Sequence, residues 1–522
     1  MNKQVKAFIF AIVVALGGFV FGLDAAVISG TVGFVTEQFG LSELQVGILV
    51  SSPAFGVLFA LLAAGPLCNK IGRKKTLIII AGMYWISAVT SALAPNYIGL
   101  VCARILGGLA FTSITVSAMY IGEIAPPKWR GKLVSVNQMN IVLGLTAAYF
   151  VNYLLVKATD TEAAWAVKLN MEQHIWRYML GSEIVPALVW LVALFFVPES
   201  PRWLVYRGRI EEAKLIMHRI TSDDEIGEQI AAMEESLHRG DEELSAMSQI
   251  KELCHKRMRI AVIVAIIISI AQQLSGINAI LFYAPTVFEQ LGGGTNTAFQ
   301  QTVWVGLVSV VFTLAAILLV DKLGRRPMIL FGLLWVMVSH LICAYGFKTA
   351  TYTLSPEAVQ ELPAEVDSAA LVPMVGKTFD SDIAFKDALI EVLGAEPART
   401  HAAAIIAESA SMNAGLILGG ILSFIAAFHF SIGPLMWVLF SELFPTSLRG
   451  VAIPFFALVS STISAAVQFM FPWQLANMGG TSIFLFYAIV GAAGCAAIWP
   501  FLPETKNLSI EEIQLQLEKK TL

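Results

Sequence analysis

Along this chain, apolar residues recur in runs about as long as a bilayer is thick, and the charges gather in the short stretches between them. Runs of about 20 residues begin near Ala7, Val46, Leu77, Ile98, Leu133 and Tyr178, and again near Arg259, Gln301, Met328, Ala414, Val451 and Thr481. The pattern predicts about twelve spanning helices in two sets of about six. Between the sets, Glu199 to Lys256 is charged and helix-prone, with Arg209, Glu211, Glu212, Lys214, Glu234 and Glu235 on a solvated pattern, so it reads as a soluble linker. The expected division is therefore residues 1–198, a helical linker at 199–257, a second set at 258–502 and a tail at 503–522. An acidic insertion at 348–400 is too long for a plain loop and is expected to form short helices over one face.

Lys70, Arg73, Lys74 and Lys75 follow the second run, Lys128, Arg130 and Lys132 the fourth, Lys322, Arg325 and Arg326 the eighth, and Arg449 the tenth. All fall on one side with both termini, which the positive-inside rule assigns to the cytoplasm. Lys3 and Lys6 before an apolar stretch resemble a signal peptide. The stretch runs on through Asp24 without a small-residue cleavage site, so an uncleaved first span is expected.

Short motifs repeat in order across the two sets. Gly72-Arg73-Lys74-Lys75 returns as Gly324-Arg325-Arg326, Glu123 to Arg130-Gly131 returns at the same spacing as Glu442 to Arg449-Gly450, and Pro198-Glu199-Ser200-Pro201-Arg202 is echoed by Pro503-Glu504-Thr505-Lys506. A duplicated half with a site between the halves at mid-membrane is the arrangement of a secondary transporter. The recurring charges Arg73, Glu123, Arg130, Glu199, Arg202, Arg325, Glu442 and Arg449 are expected to pair across the halves as a latch on the basic side.

Composition agrees with the periodicity: 57% of residues are hydrophobic and 14% charged, against about a quarter charged in soluble domains. A net charge of -4 gives no sign of a nucleic-acid partner. The five cysteines show neither metal nor disulfide spacing and read as small core residues. No phosphate loop, metal cluster or nucleophile with its base is visible, so an enzyme is not expected, nor any cofactor; the expected state is a monomer.

Polar side chains inside the apolar runs carry the chemistry. Gln272-Gln273-Leu274-Ser275-Gly276-Ile277-Asn278 lies within the run from Ile260 to Leu281. On one continuous helix the amides could turn toward a common volume, where paired donors and acceptors suit an uncharged, hydroxyl-rich ligand. The same amides could instead hold helices together. Asp24, deep in the first run, needs a proton or a partner, and Arg104 in the fourth run supplies one. Burial favours the protonated acid and the guanidinium favours the carboxylate, a balance that protons can switch.

With these motifs, together with Arg104-Ile105-Leu106-Gly107-Gly108 and Gly433-Pro434-Leu435-Met436-Trp437, the chain resembles the sugar porter family of the major facilitator superfamily, and within it the bacterial proton-coupled xylose and hexose symporters. The resemblance implies an all-α membrane protein in the major facilitator fold: twelve transmembrane helices in two pseudo-symmetric six-helix bundles, with cytoplasmic linker helices. It implies import of a neutral pentose or hexose by proton symport and alternating access, in a bacterial inner membrane. It places the sugar on Gln138, Gln272, Gln273, Asn278 and Trp437, with Phe21, Tyr283 and Phe428 as apolar walls, and the coupling proton on Asp24 and Arg104. A uniporter, a polyol or inositol symporter and a non-transporting sensor stay open beside it. The chain departs from the family pattern at Ser309, Ser460, Ser461, Phe282 and Leu145, which leaves the sugar's identity open, and Asn69 stands where Asp321 stands in the second half.

Overall fold

The computed structural model describes every residue except 1–2, 125–129, 221–225, 232, 235–245, 363–365, 509 and 520–522. Pro126 and Pro127 lie outside the described residues, as does the side chain of Arg130. Among the described residues, twelve helices are long and apolar enough to cross a membrane. The first six are Val5–Phe39, Glu43–Ile71, Arg73–Ala92, Tyr97–Ile124, Val136–Asp160 and Glu172–Phe195. The second six are Lys256–Glu289, Gly294–Leu323, Arg325–Lys348, Ala414–Leu443, Ser447–Asn477 and Gly479–Ile498. Several start earlier than the apolar runs do, the eighth at Gly294 instead of near Gln301. Apolarity marks the hydrocarbon crossing, whereas the helix continues through a polar turn such as Thr295-Asn296-Thr297 into the headgroup layer.

Each half closes on itself. The first span packs along the fifth and the second along the fourth, while the ninth packs between the tenth and the twelfth. Small residues bring backbones together: a Cβ at Gly22 would land on the Ile141 carbonyl, and one at Gly144 on the Phe19 carbonyl. The halves meet where the second span packs on the eleventh, the fifth on the eighth and the first on the seventh.

These meeting points lie at mid-helix and toward the end opposite the termini. Gly47 seats against the Phe469 carbonyl, Asn296 donates to Asp160 (3.0 Å) and the Tyr149 hydroxyl donates to the Leu281 carbonyl (2.6 Å). At the basic end, Ser113–Ile124 of the fourth span and Ile432–Leu443 of the tenth each pack on helices of their own half. The two halves therefore close at the acidic end and part toward the basic end. Of the linker, helix Ile210–Ile220 rests on the first span and Ala246–Leu253 on the eleventh, so it is tied to both halves.

The acidic insertion runs to Ser411, past the expected boundary, and is more than helices. Strands β1 (Thr351–Thr353), β2 (Thr378–Phe379) and β3 (Ala410–Ser411) form an antiparallel sheet in the order β2-β1-β3, with Thr351 opposite Ser411. Strands this short leave no alternating pattern to read, and their partners are distant in sequence. Helix Asp382–Leu393 seats the unit on the second half, where Lys386 pairs with Asp382 (3.4 Å) and reaches the Leu475 carbonyl. The reading of all five cysteines as core residues is corrected: Cys102 and Cys254 are exposed, and all five are free thiols.

Candidate functional site between the two halves

Two spans break where the amides and the Gly-Pro motif lie. The seventh consists of Arg259–Gln273 and Ile277–Glu289, so the expected continuous helix is corrected: Leu274-Ser275-Gly276 interrupt it, with Gly276 at φ 83°. A side chain there would strike the Tyr487 ring, and only glycine adopts that backbone without strain. The tenth breaks at Ser431, two residues before the Gly-Pro pair, and Pro434 sits in the first turn of Ile432–Leu443, where its missing N–H costs no bond. Broken spans at corresponding depth are the hallmark of a site inside a transporter.

The breaks order a chain of polar contacts. Gln272 is buried and donates to the Ile432 and Gly433 carbonyls (3.2 and 3.1 Å). Its own oxygen accepts from Gln273 (2.9 Å), which also donates to Ser460 (2.7 Å). Asn278 donates to Gln273 (2.6 Å) and to Ser464 (2.8 Å), and Ser464 accepts from Gln468 (2.9 Å). The structure thus brings Gln272, Gln273 and Asn278 together and uses them to join the seventh, tenth and eleventh spans. These bonds bear out the reading in which the amides hold helices together. Ser464 and Gln468 were missed because a hydroxyl and a lone amide in an apolar run carry no motif.

The remaining expected sugar contacts are placed differently. Gln138 is half-buried and makes no hydrogen bond among the described residues. It shares a helical stripe with Leu145 and with Tyr149, which reaches across to the second half. Trp437 lies one turn beyond Gly433, 45% exposed, its ring edge-on to Phe440 (5.8 Å). Phe21 is half-buried against Phe111 (4.7 Å), and Phe428 is buried under Gly433. The reading of Tyr283 as an open wall is corrected. It is 1% exposed, its hydroxyl donates to the Gln468 carbonyl (2.8 Å) and its ring packs on Phe471. Ser309 is buried and returns its hydroxyl to its own helix at Val305.

Asp24 and Arg104 meet in the core of the first half, both 1% exposed. Arg104 bonds the Asp24 carboxylate and, through Nη2, its backbone carbonyl (3.1 Å). A second buried carboxylate, Glu183, stands at the break between Ile175–Gly181 and Ile184–Phe195, near enough for the Asp24 and Arg104 charges to act on it. One oxygen of each acid and the Arg104 Nε have no hydrogen-bond partner among the described residues. Two carboxyls against one guanidinium leave a buried cluster one proton short of neutral, and an uncompensated buried charge is costly. Glu183 was legible as an acid within an apolar run, but its convergence on Asp24 was not.

The basic-end charges form two copies of one clamp. Arg73 pairs with Glu123 (2.8 Å), Glu199 accepts from the Arg73 and Lys74 backbone N–H groups (2.9 and 3.0 Å), and Ser200 donates to Glu123. In the second half Arg325 pairs with Glu442 (3.0 Å), Glu504 accepts from the Arg325 and Arg326 N–H groups (3.0 and 3.2 Å), and Thr505 donates to Glu442 (2.6 Å). With the halves parted at this end, the described pairs lie within a half, and none of the expected latch pairs is made across the halves among the described residues. Gly72 and Gly324, at φ 99° and 93°, aim the first N–H groups of the third and ninth spans at the acid of their own half. Arg449 bonds the Phe444 carbonyl (3.1 Å), and Arg202 is exposed. Glu504, an echo of Glu199 in the sequence, had no role assigned there. Asn69 still accepts from Arg73 (3.4 Å), more weakly than Asp321 from Arg325 (3.0 Å).

A Cβ at either glycine would collide with the acid it seats, Glu199 or Glu504. Gly72→Ala and Gly324→Ala are each expected to cost about 1–3 kcal/mol through backbone strain. The loss is to be read as a lowered melting midpoint of the purified protein, similar in size for the two.

A family model described as "Sugar (and other) transporter" matches residues 10–360 and 393–517, so much of the insertion lies outside it. The chain is 32% identical over 561 residues to the D-xylose-proton symporter of Escherichia coli (strain K12), covering 100% of this chain and 98% of that one. It is 31% identical over 500 residues to the arabinose-proton symporter of Bacillus subtilis (strain 168), covering 96% and 92%. Among solved structures, the inward open conformation of the xylose transporter XylE from E. coli matches with a TM-score of 0.73 at 29% identity, over 98% of this chain and 99% of that one.

Proposed function

The chain belongs to the sugar (and other) transporter family, and from that premise we propose that it imports a neutral pentose or hexose, such as xylose, glucose or galactose, by proton symport and alternating access. The observation that carries this reading is the buried cluster of Asp24, Arg104 and Glu183, one proton short of neutral. Beside it, the amides and hydroxyls of Gln272, Gln273, Asn278, Ser460 and Ser464 supply donors and acceptors but no charge, which suits a sugar. Gln138, Trp437 and Phe21 complete the binding surface, the rings packing on the C–H faces of the sugar, while Phe428 backs it from behind Gly433. Tyr283 shapes the site indirectly, by locking the seventh span to the eleventh.

The basic end with both termini faces the cytoplasm, so the halves part inward and the state described is inward-facing. Proton release from the cluster toward the cytoplasm accompanies sugar release there, and the emptied carrier rocks back about the amide site. The two clamps keep the base of each half rigid as it moves. The protein acts as a multi-pass membrane protein in a bacterial inner membrane, as a monomer.

Uptake of labelled sugars into vesicles, with and without an imposed pH gradient, tests the reading. A subset of pentoses or hexoses is expected to accumulate above the external concentration only when the outside is more acidic. Equilibration that ignores the gradient would instead make the protein a uniporter, and no uptake of any sugar would sink the proposal.

A further inference from the structure

Away from the transport path, at the basic end of the first half, the third span and the linker helix Pro201–Tyr206 enclose a groove of about 730 Å³. Lys70 and Lys75 enter it from the bundle and Arg207 from the end of the linker helix, and among the described residues no carboxylate lines it. Its floor is Ile78, Ile79 and Trp203. Lys70, Lys75 and Arg207 are exposed, and none is paired with an acid among the described residues. Arg209 at the rim is already neutralised by Glu212 (2.6 Å). Trp203 is held as a fixed plate, its indole N–H on the Asn69 carbonyl (2.9 Å) and the Arg207 guanidinium 5.9 Å over its ring.

The groove opens onto a face that points into lipid. Lys75, Ile79, Ile86 and Leu93 share one stripe of the third span at three- and four-residue spacing or its multiples. Ile79, Ile86 and Leu93 are 45%, 46% and 73% exposed. Cations at the top of an apolar stripe, with a tryptophan at the boundary, match a molecule with an anionic head and hydrocarbon tails.

The second half serves as an internal control. The clamp is duplicated there, but the groove's counterparts are not: Pro327 stands for Lys75, Leu508 for Trp203 and Glu512 for Arg207, with Lys322 alone kept for Lys70. The groove is thus no requirement of the repeated architecture.

We propose that this groove is a binding site for one anionic phospholipid, its phosphodiester on Lys70, Lys75 and Arg207 and its acyl chains along the third span, pinning the linker to the first half. The site acts independently of which solute is carried.

Native mass spectrometry of the full-length protein in detergent, titrated with phosphatidylglycerol or with phosphatidylcholine of the same chains, tests it. Wild type is expected to retain one phosphatidylglycerol at least tenfold more tightly than phosphatidylcholine. The combined Lys70→Gln, Lys75→Gln and Arg207→Gln variant is expected to lose that preference, while Lys322→Gln keeps it. Inorganic phosphate at millimolar concentration is expected not to displace the lipid. If the triple variant gives too little folded protein, the single exposed Lys75→Glu substitution carries the same expectation. Equal retention of both lipids by wild type, an undiminished preference in the variants, or displacement by inorganic phosphate would overturn the proposal.

Discussion

Asp24→Asn is expected to abolish accumulation of sugar against a gradient while leaving counterflow exchange of sugar in place. The argument is one of charge. With Asp24 on Arg104 and Glu183 buried within reach of both charges, the cluster needs one added proton to become neutral in a core 1% exposed. Asparagine keeps the shape and an acceptor for the guanidinium but leaves one carboxylate against one cation. The cluster is then neutral without a proton, so the carrier can change state unprotonated and the gradient no longer drives it. In vesicles, internal sugar should rise only to the external concentration and should stop responding to external pH. The first half should still fold, because asparagine keeps a side-chain oxygen for Arg104, which also keeps the backbone carbonyl of residue 24. Continued uphill uptake by this variant would show that the coupling proton sits elsewhere.

The second large effect is expected at the amide network. Gln273 accepts from Asn278 and donates to Gln272 and Ser460. Gln273→Leu has nearly the same volume, so packing survives while three hydrogen bonds vanish and the Gln272 oxygen and Ser460 hydroxyl lose a partner. Buried groups left in that way cost about 1–3 kcal/mol each, and any sugar hydroxyl that used the Gln273 amide loses it too. Sugar affinity is expected to fall by about 30- to 150-fold, corresponding to about 2–3 kcal/mol. Calorimetric titration of the purified protein measures it, and a cooperative melting transition, lowered by no more than that cost, separates a ligand effect from unfolding. An unchanged Kd would make the network a structural joint only.

The two positions differ in how they could be found. Asp24 and Arg104 were legible because a lone charge in an apolar run is expensive whatever surrounds it, and so was the Gln-Gln motif. Glu183 has the same signature but no motif, and only the fold carries it from the sixth span to the first. Tyr283 shows the reverse error: an aromatic beside the motif looked like a wall, yet the break at Gly276 and the kink at Tyr283 itself turn it inward to the eleventh span. The repeated charges were found with their register intact, but their partners within each half were not foreseen. Sequence spacing does not reveal that a glycine turn presents backbone N–H groups to the nearest acid of the same half.

The order of apolar runs, the duplicated motifs and the cost of polar groups in hydrocarbon determined, without coordinates, that this chain crosses a membrane about twelve times in two related halves with a polar centre. These are one-dimensional facts, set by length and by solvation. Tertiary structure alone decided where two helices break, which acids lie near one guanidinium, which way the halves part, and that the insertion carries a small sheet. Each of those depends on contacts between residues far apart in the chain, and such contacts leave no periodic trace along it.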